Sequence, residues 1–131
     1  MALKTVKCLV GLIMVMLAAA FLRPSDYSAQ RSMTINAPAD KVFPLVANQT
    51  EWRRWSVWNQ RDPNMPMTYA RPEGAAGCKW AWKSKFQGDG GMQRSAVEAN
   101  KRVAFVLTME DMTPATSDLK FSTDGAGTQV A

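Results

Sequence analysis

The sequence predicts an α+β domain built on an antiparallel β-sheet, and two patterns carry this prediction. Between Arg31 and Pro63, a short alternating segment runs into helix-forming sequence and then into three tryptophans within seven residues, Trp52, Trp55 and Trp58. After Pro66, apolar residues recur at every second position, which is typical of strands with one packed and one solvated face. Two short helices should therefore follow the first strand and precede the others.

Length and composition are those of one ordinary globular domain. The chain has 131 residues, of which 47% are hydrophobic and 21% charged, so it can bury one core and is not expected to be disordered. The net charge is +5, but the basic residues are scattered apart from Arg53–Arg54 and three lysines between 79 and 85. A solvated face explains these groups better than a nucleic-acid groove, so we expect no nucleic-acid partner.

The chain contains no histidine, which excludes several chemistries. A Ser-His-Asp triad, a Cys-His pair and a histidine metal site all require one. The two cysteines, Cys8 and Cys78, cannot form a disulfide framework or a thiolate metal site, and each is expected to act as a small buried hydrophobe. We expect no cofactor and no metal.

Residues 1–26 form a separate N-terminal segment. Lys4 and Lys7 precede fifteen uncharged residues, Cys8–Leu22. This run is either a signal peptide cleaved near Ala18–Ala20, which would release a secreted or periplasmic domain, or an uncleaved membrane anchor. The run rises only about 22 Å against a hydrocarbon layer of about 30 Å, but it continues past the alanines. We expect a single-pass anchor, with the domain on the non-cytoplasmic side because the lysines favour an N-terminus inside.

The elements before Pro66 are a strand and two helices. Ser28–Asn36 alternates weakly and predicts the first strand. Pro38 suits a first helical turn, whereas Pro44 either kinks this helix or moves its start to Lys41. Thr50 is the expected N-cap of the second helix. The first helix carries Val42, Phe43 and Val46, and the second carries Trp52 and Trp55.

The elements after Pro66 are strands. The clearest is Cys78–Phe86, whose alternate residues, including Trp80 and Trp82, should face inward. Gly88–Gly90 predicts a hairpin turn, and Gly91–Ala99 a weaker strand. The remaining inward positions are Met67 and Tyr69 in one strand, Val103, Phe105, Leu107 and Met109 in another, and Leu119 and Phe121 in a third, before a turn at 124–127 and a last strand.

Residues 27–131 resemble the SRPBCC (START-like, polyketide cyclase/dehydrase-type) family. The matching positions are Ser32, Ile35, Ala37, Pro38, Val42, Phe43 and Val46, then Trp52, Trp55, Ser56 and Trp58, with Tyr69, Trp80, Trp82, Gly88, Gly90 and Gly127–Val130 further on. The resemblance implies a helix-grip fold, in which a curved antiparallel sheet encloses an apolar ligand. It also implies an uncleaved apolar segment before the domain.

In that family the last strand continues, and a long C-terminal helix lies across the concave face of the sheet. Only Ala131 follows Val130 in this sequence. We therefore expect a helix-grip domain without its C-terminal helix, that is, a fragment.

The predicted ligand is an apolar small molecule or lipid, held by inward aromatic and aliphatic side chains. For each tryptophan, core packing is the competing interpretation. The predicted ligand-binding residues are Trp55, Trp58, Tyr69, Trp80, Trp82, Phe105 and Leu107.

Catalysis is not expected, and no catalytic residue is assigned, because the sequence offers no nucleophile with a base to activate it. An enzyme would depend on Tyr69, on an arginine such as Arg94, or on an acidic residue in a dry cavity. Two alternatives to ligand binding remain open: a polyketide cyclase or dehydratase, and a co-chaperone-like protein-binding module acting through Arg53 and Arg54. The fold alone does not decide among them.

Overall fold

The structure, a computed structural model, describes residues 2–22, 26–70 and 77–131, and the chain divides after Gln30 into two compact units. The first unit contains helix α1, Ala2–Phe21. None of the helices in the described ranges is long and apolar enough to cross a membrane. The predicted single-pass membrane anchor is therefore wrong. The physical reason is that Lys4 and Lys7 lie within α1, which leaves an uncharged run too short for the hydrocarbon layer.

In the described part of the second unit, seven strands form one curved antiparallel sheet, as predicted. Their order is β1-β7-β6-β5-β4-β3-β2, so that the first strand pairs with the last, Met33 opposite Val130. The strands are β1 Met33–Ile35, β2 Met67–Ala70, β3 Lys79–Trp82, β4 Gly90–Glu98, β5 Arg102–Met109, β6 Ala115–Asp124 and β7 Gly127–Val130. That the domain lacks the C-terminal helix of the family stays a prediction.

Three helices, rather than the predicted two, connect β1 to β2, because Ser56 is extended and divides the second: α2 Ala39–Ala47, α3 Trp52–Trp55 and α4 Val57–Arg61. Helix α2 starts directly after Pro38 and runs through Pro44, rather than starting at Lys41. Pro44 is exposed, so water can satisfy the carbonyl that lacks its N–H partner.

The start of α3 corrects the predicted N-cap at Thr50. The N-cap position is Glu51, and its side chain makes no capping hydrogen bond. The N–H of Glu51 already donates to the carbonyl of Asn48 at 3.1 Å, so a turn precedes the helix and moves its start one residue along.

The core lies between α2 and the concave face of the sheet. Helix α2 packs on β6 and β7, with the rings of Phe43 and Phe121 5.4 Å apart in an edge-to-face arrangement. Cys78 is fully buried, as the sequence predicts. The buried cluster comprises Val42, Phe43, Ala47, Cys78, Trp80, Val103, Phe105, Phe121 and Val130.

Strand β3 is shorter than the predicted Cys78–Phe86, because hydrogen bonds of Ser84 end it. The Ser84 hydroxyl donates to Oδ2 of Asp62 at 2.8 Å and accepts from the N–H groups of Phe86 and Gln87. The N–H of Ser84 donates to Asp89 at 3.0 Å. These bonds curl the chain into a turn that places Phe86 outward, with 85% of its surface exposed.

Candidate functional site

A pocket opens between the short helices α3 and α4 and the concave face of strands β2 to β5. Its cavity volume is about 80 Å³, small beside the roughly 300–1,000 Å³ of typical small-molecule sites, and it opens to solvent at its mouth. The described residues that line it are four tryptophans, four methionines, one leucine and three uncharged polar residues: Trp52, Trp58, Trp80, Trp82, Met65, Met67, Met92, Met109, Leu107, Ser56, Asn59 and Gln87.

Strand register arranges the floor of the pocket in two rows. Side chains directly opposite each other on antiparallel strands lie on the same face and in contact. In the first row Trp80 lies opposite Met92, and Met92 opposite Leu107. The second row follows one pleat further along the same strands and runs through Met67, Trp82, Gly90 and Met109.

Gly90 gives the second row its shape. A Cβ atom added there would lie 2.6 Å from Cζ2 of Trp82 and 3.0 Å from the carbonyl oxygen of Thr108. The indole of Trp82 therefore lies directly against the backbone of β4, in space that any larger residue would fill. The absence of a side chain at Gly90 leaves free the space that this indole occupies.

Trp52 forms the wall between the pocket and the core. Its ring lies 5.8 Å from that of Trp80 and 5.5 Å from that of Phe105. Its Nε1–H donates to the carbonyl of Val46 at 2.8 Å, which fixes the indole at the end of α2. One face of the ring closes the core, and the residue also lines the pocket.

The predicted binding residues separate into two groups. Trp58, Trp80, Trp82 and Leu107 line the pocket, and their contact with a ligand stays a prediction. Trp55, Tyr69 and Phe105 do not line it.

Those three residues have other surroundings. Trp55 stacks beside Trp52 with ring centroids 4.7 Å apart, is 42% exposed, and donates its Nε1–H to the carbonyl of Leu45. Phe105 is buried in the core, and Tyr69 packs against that core.

Sequence reasoning missed the four methionines and Trp52 as pocket residues. The signal was present in the strands, because Met67 and Met109 occupy inward positions of the two-residue repeat. Met92 follows from register only, since β4 alternates weakly. Met65 precedes β2 and carries no periodic signal.

Arg94 is fully buried but lies outside the pocket lining. Its Nη1 donates to the carbonyl of Ala47 at the end of α2, where helix carbonyls lack intrahelical partners and carry partial negative charge. A register shift between Arg94 and Ala96 marks a bulge in β4 at this point. The geometry thus gives Arg94 a structural contact that joins the sheet to the end of α2.

The mouth of the pocket is formed in part by Trp58, which is 54% exposed. The guanidinium carbon of Arg61 lies 5.7 Å from the centre of its ring, within cation–π distance. In addition, Nε2 of Gln87 donates to the carbonyl of Trp58 at 2.9 Å. This bond ties the turn before β4 to helix α4.

Comparison with known proteins finds no matching family model and no matching curated protein. Solved structures do match. CalU16 from Micromonospora echinospora has a TM-score of 0.55 at 18% identity, covering 76% of this chain and 54% of that one. Mll3558 from Rhizobium loti has a TM-score of 0.58 at 18% identity, with coverages of 76% and 71%. The chain thus spans about half the length of CalU16.

A third similar structure is the Aha1 dimer from Colwellia psychrerythraea, with a TM-score of 0.56 at 13% identity and coverages of 76% and 69%. All three have helix-grip folds of the polyketide cyclase-like SRPBCC type. The likeness confirms the predicted α+β fold with its curved antiparallel sheet. At these identities it shows the fold alone, because one fold hosts unrelated functions.

Proposed function

We propose that the domain binds an apolar small molecule, such as a ring-containing or acyl compound, in the pocket under α3 and α4 and releases it unchanged. The observation that carries this proposal is the lining itself, in which nine of the twelve described residues are tryptophan, methionine or leucine. Aromatic side chains offer large contact areas for such ligands, and transfer of apolar surface from water drives their binding.

The methionines support a pocket that adapts to its ligand. Met65, Met67, Met92 and Met109 have unbranched, polarisable side chains that change shape at little cost and make favourable contacts with aromatic rings. The four tryptophans, by contrast, are rigid. A lining of this kind favours a class of apolar molecules over one shape.

The polar residues of the pocket favour binding over catalysis. General acid–base chemistry needs an ionisable group within hydrogen-bond reach of the reacting atoms. The polar side chains in the described lining are Ser56, Asn59 and Gln87, which are all neutral, and the chain has no histidine to activate Ser56. Tyr69 and Arg94, on which an enzyme would depend, lie outside the lining.

The test is a titration of the full chain with N-phenyl-1-naphthylamine, a neutral apolar probe whose fluorescence rises in a dry site. Trp82→Ala should weaken binding by about 1–3 kcal/mol, because it removes part of the pocket floor. Lys83→Ala is the matched control, since Lys83 is exposed and outside this lining, and it should leave the affinity unchanged.

Equal affinities for the two variants would overturn the assignment of the pocket. The unfolding transition of each variant must be measured in parallel. A Trp82→Ala protein that no longer unfolds cooperatively would show that this tryptophan is part of the core and not of a binding site.

Mass spectrometry of compounds that co-purify with the protein separates binding from the alternatives. An apolar compound that is recovered unchanged after incubation supports the proposal. A converted product would favour a cyclase or dehydratase, and a consistently empty pocket would favour a protein-binding module.

A further inference from the structure

The size of the pocket decides how a ligand can lie in it. The cavity has a volume of about 80 Å³, whereas an engineered protein cavity of about 150 Å³ accommodates one benzene molecule. A ligand of ordinary size therefore places only one end between the sheet and helices α3 and α4. The rest of the molecule lies at the open mouth, so the residues around the mouth contribute to the choice of ligand.

The interior of the pocket accepts an uncharged group. Nine of the described lining residues are tryptophan, methionine or leucine, and the other three, Ser56, Asn59 and Gln87, are neutral. A charged group in such a site would lose its hydration without gaining an opposite charge, which is costly. The end of the ligand inside the pocket is therefore apolar, and any charge that the ligand carries stays outside.

Arg61 places a positive charge beside the mouth. Trp58 lines the pocket and is 54% exposed, so its indole belongs partly to the pocket and partly to the surface. The guanidinium carbon of Arg61 lies 5.7 Å from the centre of this ring. A cation–π contact stabilises the guanidinium there and leaves N–H donors available for other partners. A ligand that leaves the pocket along the indole of Trp58 therefore comes close to this cation.

The charge of Arg61 is not offset by a neighbouring carboxylate. In the part of the chain that the structure describes, Arg61 makes no ion pair. Arg54 of α3, by contrast, pairs with Glu51 at 2.6 Å. The residue after Arg61, Asp62, accepts a hydrogen bond from Ser84 instead. Arg61 thus combines an available charge with contact to a residue of the pocket lining.

We infer that the ligand is an amphiphile with one carboxylate, whose apolar end lies in the pocket while the carboxylate binds the guanidinium of Arg61 at the mouth. This inference rests on the proposed function and specifies its ligand class. A guanidinium presents paired N–H donors that match the two oxygens of a carboxylate, and charge strengthens the hydrogen bonds between them. A compound without an anionic group would leave this cation without a partner from the ligand.

Two lysines after β3 provide a contrast that limits the inference to Arg61. Lys83 and Lys85 line a separate groove together with Asp62 and Asp89, so two carboxylates offset two ammonium groups there. The described lining of this groove contains no tryptophan, methionine or leucine. The groove therefore offers an anionic amphiphile neither an uncompensated cation nor a lining like that of the pocket.

The experiment compares decanoate with 1-decanol, which have chains of the same length and differ in the charge of the head group at neutral pH. Each compound is titrated into the full chain with bound N-phenyl-1-naphthylamine, and displacement of the probe is read from its fluorescence. Arg61→Gln removes the cation and keeps a polar side chain. It should weaken the binding of decanoate about threefold to fivefold, as expected for a charge pair at an exposed site, and that of 1-decanol by less than about twofold.

Arg53→Gln is the matched control. Arg53 is exposed, belongs to the neighbouring helix α3 and lies outside the lining of the pocket. Its replacement lowers the net charge by the same amount as Arg61→Gln. The affinity for decanoate should nevertheless stay within about twofold of that of the unaltered chain, because solvent and salt screen a distant exposed charge.

Each outcome decides a different point. Unchanged binding of decanoate to the Arg61→Gln variant would overturn the inference and leave the binding function standing, as would a failure of decanoate to displace the bound probe from the unaltered chain. Equal losses of decanoate and 1-decanol would show that Arg61 only holds Trp58 in place, and equal losses of decanoate in Arg53→Gln and Arg61→Gln would show an effect of net charge alone. Both results contradict the inference. If N-phenyl-1-naphthylamine itself does not bind, the proposed function fails and this inference fails with it.

Discussion

The two ends of the concave sheet face are covered in opposite ways. Under α2, the side chains of Val42 and Phe43 fill the space above β6 and β7, and Val103 and Phe105 of the same core are at most 1% exposed. Under α3 and α4, the same strands carry side chains that only partly fill the space. Strand β5 shows both conditions, because its inward residues pass from the buried Phe105 to the half-buried Leu107 and Met109.

The difference follows from the length of the covering helices. Helix α2 has nine residues and presents a continuous apolar face, whereas α3 and α4 have four and five and present isolated side chains. Trp52 stands at the boundary between the two ends. The fold therefore places close packing at one end of the sheet face and a cavity at the other.

The largest loss of stability should come from removing a buried side chain at the closely packed end of the sheet face. Phe105→Ala leaves a cavity among buried side chains and should reduce the free energy of unfolding by about 3–5 kcal/mol. Met109→Ala removes a side chain that borders existing empty space, so its cost should be less than half as large. Urea denaturation of the two variants checks this, and equal losses would mean that both ends are packed alike.

The second effect concerns the floor of the open end. Gly90→Ala would place a Cβ atom 2.6 Å from the indole of Trp82 and should cost about 1–3 kcal/mol, with a shift in tryptophan fluorescence as the ring moves. The affinity for N-phenyl-1-naphthylamine should fall as well. Gly91→Ala is the matched control, since its nearest atoms lie at 3.4 Å and require only a small adjustment. If neither variant changed the free energy of unfolding, the tryptophan fluorescence or the probe affinity, the indole of Trp82 would be free to move aside.

The third effect concerns Trp52, which stands between the closely packed end of the sheet face and the pocket. Trp52→Phe keeps an aromatic ring but removes the Nε1–H that donates to the carbonyl of Val46. The loss of this half-buried hydrogen bond should cost about 1 kcal/mol of stability. Because the residue serves both ends, stability and probe affinity should fall together. Trp55→Phe loses a similar bond to Leu45 at an exposed position and should change stability only. A loss of affinity in both variants would contradict the assignment of Trp52 as the wall.

The sequence was sufficient for the fold because its strands repeat every second residue and face one core. Strand β5 and the inward positions of β6 follow directly from this repeat. The end of β3 could not be predicted, since it depends on Asp62, which is twenty-two residues from Ser84 in the chain.

The pocket was predictable only in part, for a similar reason. Trp52 and Trp55 were both expected on one helix face, and Trp58 nearby, but Ser56 interrupts the helix in an extended conformation with ψ of 129°. That interruption places Trp58 at the pocket and leaves Trp55 outside. The spacing of the tryptophans cannot show which of them lines the pocket, because the break at Ser56 is set by tertiary context and not by local helix propensity.

The smallest effect should come from the convex face, which is solvated at both ends of the sheet. Nε of Arg102 lies 2.8 Å from Oδ1 of Asp118, and Nη2 lies 2.9 Å from Oδ2, across β5 and β6. The hydrogen bonds from Arg102 lower the pKa of Asp118, and those to Asp118 raise the pKa of Arg102. Both side chains are more than a third exposed, so solvent and salt screen the pair.

The sign of the pH dependence follows from the lowered pKa of Asp118. The stabilisation from the pair is fully present above the unfolded pKa of about 3.9 and is lost as the pH falls through the lower folded value. Asp118→Asn and Arg102→Met should each remove this acid-dependent component, and the double variant should add nothing further. This component is measured from the midpoints of urea denaturation at a series of pH values from pH 5 downward, at low and at high salt. If Asp118→Asn kept the full acid dependence of the unaltered chain, the pair would not contribute to folding.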